Sequence, residues 1–519
     1  MPADPRPAEA PVPAPVPALA SRPAPGGTSR RARQLVFVTV LLPVLALLAV
    51  ARRPPVMDLP LLLEQAARCE EILRGERRDL VIDWLGPNKL GPALTVLARG
   101  AGGAAWAPRL AVMLAAVLWL AALHDVAARA RRPAAAALLV TPLLFGSVFY
   151  AGFLSFLTGA AALAFWVREL DEERRQRPFL PIALSTAAGA ALLYLTHALW
   201  LIAGGFAVAT CVLLHRFRLR ETLARAAGAA PFALLLGFWS GGLTAGGWQS
   251  SLHTMVEPAE RVASLGMAAS LALGGFRHPV EKVVLLALLA WIVGGGARAL
   301  RERGAGVHPF LLTVGLVLAA LALLAPDTVD KTMFFAWRWG GFALACLVLA
   351  LPAPRVDGRL RLAFAAVVVA SHLAATAGVW ARYGRVAMAG FEPVLAAVPA
   401  GARLVALDLG APDPELALSP FTHAHVWAAV ERGATVPFTF ADLGNSWVRW
   451  RDPEARRRSA DYGHWSGASL RRGDLAGHSH LLARCPAGSE CRPDPAGLRR
   501  VAGGGDWALF EIRGTAATE

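Results

Sequence analysis

Lysine is almost absent from this 519-residue chain, cysteine occurs only five times, and charged residues make up just 17% of it. Five cysteines are too few for a disulfide framework. With 55% hydrophobic residues and a mean hydropathy of +0.47, the shortage of charge excludes an ordinary soluble enzyme. No Walker loop, dinucleotide fingerprint, zinc-protease helix or nucleophile elbow occurs. An internal repeat is also missing, which argues against a repeat-built transporter. Ionisable residues are scarce in the middle of the apolar stretches, which argues against proton- or ion-coupled transport. The net charge of +15 and pI of about 10.8 would suggest nucleic acid in a soluble protein. Here the excess sits between apolar stretches, where it marks topology and contact with anionic lipid headgroups, so no nucleic-acid partner is expected.

What the chain does have is eleven apolar stretches of spanning character, at 34–51, 109–127, 134–149, 150–167, 180–196, 197–214, 229–246, 281–297, 308–325, 334–352 and 361–380. Arginine fills every second gap: Arg30 to Arg33, Arg129 to Arg132, Arg168 to Arg177, Arg216 to Arg225, Arg298 to Arg303, and Arg355 to Arg361. Cytoplasmic loops carry the Lys/Arg excess, so these gaps are expected inside and the others outside. The fold class this predicts is mainly α: a polytopic transmembrane bundle of about 11 spans with a small external C-terminal α/β domain.

Residues 1–33 read as a disordered cytoplasmic tail, 34–382 as the transmembrane domain with a long external loop at 52–108, and 383–519 as the external soluble domain. The first apolar stretch ends on small residues, as a signal peptide does, yet it is nearly of full spanning length and is expected to stay uncleaved. Within the first loop, Leu59 to Leu73 has amphipathic helical spacing. Phe145, Phe149, Tyr150, Phe153 and Phe156 suggest interfacial aromatic anchors. In the C-terminal region, 403–409, 435–440 and both sides of the Gly-Gly-Gly-Asp turn near 505 suit strands, and 425–432 suits a short helix. Cys485 and Cys491 bracket a short loop and are expected to pair in an oxidising compartment.

Chemistry concentrates in the first loop. Asp58 stands between prolines in Pro54-Pro55-Val56-Met57-Asp58-Leu59-Pro60, a few residues past the first span. Held there, a carboxylate is positioned to take a proton from an acceptor hydroxyl, and it could equally cap the helix that follows. Asp83, Asn88 and Lys89 supply a second acid and hydrogen-bonding groups downstream. His197 lies between the fifth and sixth spans, a place from which it could orient an acceptor or bind phosphate. Arg338, flanked by Trp337 and Trp339, has the planar fork that suits phosphate oxygens, with Lys331 one loop earlier. His423-Ala-His425 and His478-Ser-His480 each place two imidazoles on one face, but no spacing rule ties the pairs into a metal site.

One span, a long external loop with an early acidic residue, many further spans and an external C-terminal domain together resemble the GT-C superfamily of membrane glycosyltransferases. The motif Pro-Pro-x-x-Asp-Leu-Pro at 54–60, the run beginning Tyr150-Ala-Gly-Phe, and Leu195-Thr196-His197 are similar to GT-C-like bacterial membrane proteins. The resemblance implies a polyprenyl-phosphate sugar donor and an acidic first-loop residue as base, which by position is Asp58. Many GT-C members carry an acidic pair here, whereas Pro60 occupies the second position in this chain. No cofactor is expected. The leading reading is thus a cell-membrane glycosyltransferase-like protein acting on the external face, with membrane lipids and a lipid-linked donor as partners. A transporter or flippase of lipid-linked material, or a non-catalytic assembly protein, are the alternatives.

Overall fold

The computed structural model describes residues 30–170, 172–245, 252–253, 257–263, 272–275, 277–329, 335–443, 446–452, 475, 477–485 and 497–513. Helices occupy every one of the apolar stretches. They are α1 (Arg30–Val50), α3 (Leu90–Arg129), α4 (Leu154–Val167), α5 (Phe179–Thr196), α6 (Ala198–Leu214), α7 (Leu219–Ala245), α8 (Pro279–Arg301), α9 (Pro309–Leu324), α10 (Gly340–Ala350) and α11 (Gly358–Arg382), with a broken segment at 134–150. Between α1 and α3, α2 (Leu59–Leu73) is the amphipathic helix of the first loop. Among the described residues, six helices are long and apolar enough to cross a membrane by length and composition. Shorter apolar helices lie at 134–150, 198–214, 309–324 and 336–350. Outward faces carry exposed Phe206, Leu213, Phe238, Val293 and Leu300, side chains suited to lipid rather than water. The chain is a polytopic membrane protein.

Local sequence explains most boundaries. His278-Pro279 and His308-Pro309 open α8 and α9, each imidazole Nδ1 accepting a helix N–H and each proline at a position needing no donor. The Asp357 carboxylate caps α11 by accepting from the Arg359 and Leu360 amides. At 40 residues α3 is much longer than the expected 109–127, because it begins in the first loop and turns at Gly103 (φ 60°) before Pro108.

Two expectations about the bundle need correction. The stretch 134–149 is not one continuous helix. It divides into Ala134–Leu139, a 3-10 turn at Thr141–Phe145 and Ser147–Tyr150, interrupted around Pro142 and Gly146. The aromatics of 145–156 are not lipid-facing anchors either: Phe145, Phe149, Tyr150 and Phe156 are buried and Phe153 is partly buried against the core. Phe149 stacks on Trp380, whose indole N–H donates to the Tyr150 hydroxyl at 3.1 Å. The broken segment is packed inside the bundle, so its rings fill the core.

The arginine gaps gather at one end of the bundle. Arg33 donates to the Ala128 carbonyl, Arg132 to those of Gly306, Leu349 and Ala350, Arg175 pairs with Glu221, and Arg355 with Glu302. At the other end, the first loop meets 150–152, 194–198 and the C-terminal region.

That C-terminal region holds a four-stranded sheet built from β2 (Leu404–Asp408), β4 (His480–Arg484), β5 (Leu498–Gly504) and β6 (Trp507–Ile512), in the order β2-β4-β6-β5. Its β2–β4 pairing is parallel and the others antiparallel. A helix, α12 (Val426–Arg432), packs on α2. The strand expected at 435–440 is absent. Thr435 makes one isolated bridge to Arg403, Pro437 offers no ladder donor, and Thr439 and Asp442 close a 3-10 turn. The first loop also contributes β1 (Leu80–Ile82), which pairs with β3 (Val448–Trp450) across nearly four hundred residues. Cys485 is disulfide-bonded, while Cys491 lies outside the described residues. Cys69, Cys211 and Cys346 are free and buried.

Candidate active site

The end of the bundle that carries the first loop brings most of the candidate residues together. Asp58 precedes α2 at the N-cap position, but its carboxylate makes no capping hydrogen bond. The backbone is instead stitched to the broken segment: Met57 N–H donates to Tyr150 O at 2.9 Å and Asp58 N–H to Ala151 O at 3.2 Å. This close approach requires Gly152, whose φ is +86° and whose absent Cβ would stand 2.7 Å from the Asp58 nitrogen. The Asp58 side chain is buried, with Oδ1 3.4 Å from Nε2 of His423 in the C-terminal region.

Arg338 follows the same logic. It ends a 3-10 turn at Ala336–Arg338, is buried, and lies over the Phe153 ring with its guanidinium carbon 3.8 Å from the centroid. Below it, Phe156, Trp200, Trp339 and Phe342 form an aromatic floor with centroids 4.7–5.1 Å apart. Gly159 makes room for Trp200, since a Cβ there would sit 2.2 Å from the indole. Arg338 thus lies over a ring only two residues from Ala151, the residue that holds the Asp58 backbone.

His197 bridges α5 and α6. The Leu199 N–H donates to its Nδ1 at 3.2 Å, so the neutral ring carries its proton on Nε2. Its Nε2 is 3.5 Å from Arg338 Nη1. Both atoms are then donors, converging on a point where one anionic oxygen can accept from each.

The Asn88 Oδ1 accepts from the Ala198 N–H at 2.9 Å, so this side-chain oxygen caps α6 instead of facing a ligand. Next to it, the Lys89 ammonium is buried 3.8 Å from Asp83 Oδ2, beyond hydrogen-bond reach, and has no hydrogen-bond partner among the described residues. Burial pushes the Lys89 pKa down to about 8, partly offset by Asp83. Asp83 is itself engaged, with Oδ1 accepting from the Leu85 and Gly86 amides. A chain of neighbours therefore runs from Asp58 through Arg338, His197 and Asn88 to Lys89 and Asp83. Lys331 lies outside the described residues. Space beside Arg338 is tight: the cavity between Ser147, Phe153, Trp337 and Leu418 measures about 10 Å³. That holds roughly one water, so a larger ligand reaches the guanidinium only by displacing side chains.

No family model and no curated relative matches the chain. Solved structures do. ArnT from Cupriavidus metallidurans bound to undecaprenyl phosphate aligns at a TM-score of 0.54 and 11% identity, over 94% of this chain and 99% of that one. Apo ArnT gives 0.54 and 10%, over 92% and 97%. The fold is ArnT-like. The mycobacterial arabinofuranosyltransferase AftD aligns at a TM-score of 0.48 and 17% identity, over 94% of this chain and 42% of that one. The likeness to ArnT spans the bundle and the C-terminal region alike.

Among the described residues, His423 lies beside Asp58 without having been placed in the site by the sequence. Its pairing with His425 was visible, but only as a weak metal motif. In the fold the two rings stand 6.5 Å apart and only His423 meets the first loop.

Proposed function

We propose that this protein transfers a sugar from a polyprenyl-phosphate donor to an acceptor at the external membrane face. The observation that carries the reading is a buried carboxylate, Asp58, whose backbone is hydrogen-bonded to the segment carrying Phe153, with a buried guanidinium, Arg338, lying over that ring and 3.5 Å from His197. Transfer needs a base for the acceptor hydroxyl and cations for the departing phosphate, held on either side of one carbon. Asp58 would take the acceptor proton, with His423 orienting its carboxylate. Arg338 and His197 would grip the phosphate, and Lys89 would add charge from the α3 end. Support for a lipid carrier comes from the likeness to a fold solved with undecaprenyl phosphate. The apolar bundle adds to it, since a lipid-borne donor must reach the site from the membrane plane.

The test is an in-membrane assay with a lipid-phosphate sugar donor, comparing wild type with Asp58→Asn. The substitution keeps shape and removes the proton acceptor, so turnover should fall by roughly 100-fold or more while insertion is unchanged. Full activity of the Asn variant would remove Asp58 from the mechanism.

A further inference from the structure

A second cavity, of about 570 Å³, opens at the arginine end of the bundle between α1 and α3. Its size falls in the range of small-ligand sites, about 300–1,000 Å³. Arg33, Arg129 and Arg132 line it, against a single carboxylate, Asp125, which pairs with Arg129 at 2.8 Å. Arg132 is the informative member. It is buried and held by three backbone carbonyls at 2.6–2.7 Å, and it pairs with no carboxylate among the described residues. A buried guanidinium without a counter-ion is costly, and an anion in the adjoining cavity would offset that cost. Deeper in, the walls turn apolar, with Phe37 edge-on to His124 at 5.1 Å and Ala121 and Ala137 beside them. The His124 Nε2 there is buried and has no hydrogen-bond partner among the described residues. Outside, α1 continues with exposed Leu35, Val38 and Leu42, a surface suited to acyl chains.

We propose that this cavity binds the phosphodiester head group of an anionic glycerophospholipid, with its acyl chains lying along α1 and α3. Charge complementarity selects the occupant: a basic rim over an apolar wall, at the level where spans end, matches an anionic head group on an aliphatic tail. The site is at the opposite end of the bundle from Asp58 and does not depend on the transferase reading.

Native mass spectrometry of the full chain, offered phosphatidylglycerol or phosphatidylcholine in detergent, tests it. Wild type should retain phosphatidylglycerol selectively. Two variants should each weaken that retention about tenfold: Arg33→Gln with Arg129→Gln, which removes rim charge, and Ala121→Phe, which fills the cavity. Arg132 is avoided because its carbonyl contacts hold the fold. Should the double variant misfold, the cavity-filling variant decides alone. Equal retention of the two lipids, or wild-type retention of phosphatidylglycerol by a folded variant, would overturn the proposal.

Discussion

Lys89 sets the clearest chemical signature at the scale of single residues. Burial brings its pKa to about 8, so the ammonium is charged below that pH and neutral above it. If it helps bind donor phosphate, kcat/KM for the donor reports the free enzyme and should fall as pH rises through about 8. Lys89→Arg keeps the charge at all working pH values and should flatten that limb. An unchanged alkaline limb in the Arg variant would assign it to another group. Gly152 makes a mechanical prediction. An alanine there would place Cβ 2.7 Å from the Asp58 nitrogen at a φ of +86°. The strain should cost at least about 1 kcal/mol, read as a lower melting temperature together with reduced transfer.

Elements show where the sequence was readable. Leu59 to Leu73 was recognisable from its spacing, and the helix occupies those residues. The arginine alternation likewise separated the two ends of the bundle. The break-up of 134–150 was harder, because Pro142 and Gly146 are short signals within an apolar run and only packing decides whether such a run continues. Contacts between distant elements were not legible at all. Nothing near His423 indicates that it will face Asp58, and nothing near Val448 that it will pair with Ile82. The clamp joining the first loop to the C-terminal region is of this kind. Arg53, nearly fully buried, pairs with Glu392 at 2.8 Å and Glu431 at 2.9 Å and lies over Trp427 at 4.6 Å. Arg53→Ala removes two charge-assisted contacts and a stacked guanidinium. A loss of about 1.5–3 kcal/mol is expected, with faster proteolysis of the C-terminal region as the readout. Unaltered protease resistance would mean that α2 and α12 hold together without it.

For the whole molecule, orientation decides whether the site is in the compartment that a lipid-borne donor serves. Arginine gaps far apart in sequence meet at one end, and the Asp58 cluster lies at the other with the C-terminal sheet. Because Lys/Arg-rich loops are retained in the cytoplasm, the arginine end should be inside and the Asp58 end outside. Reporter fusions after Arg132 and Arg303 should therefore score cytoplasmic, and one after Glu519 external. The thiols offer a check that leaves the chain intact. Cys485 is disulfide-bonded, a state that persists outside the reducing cytoplasm. In intact cells it should resist a membrane-impermeant alkylating reagent until reductant is added. Cytoplasmic signal at Glu519, with ready labelling of Cys485 only after the membrane is opened, would turn the molecule over. The Asp58 carboxylate and the Arg338 fork would then face nucleotide sugars, and the case for a lipid-carried donor would lose its physical basis.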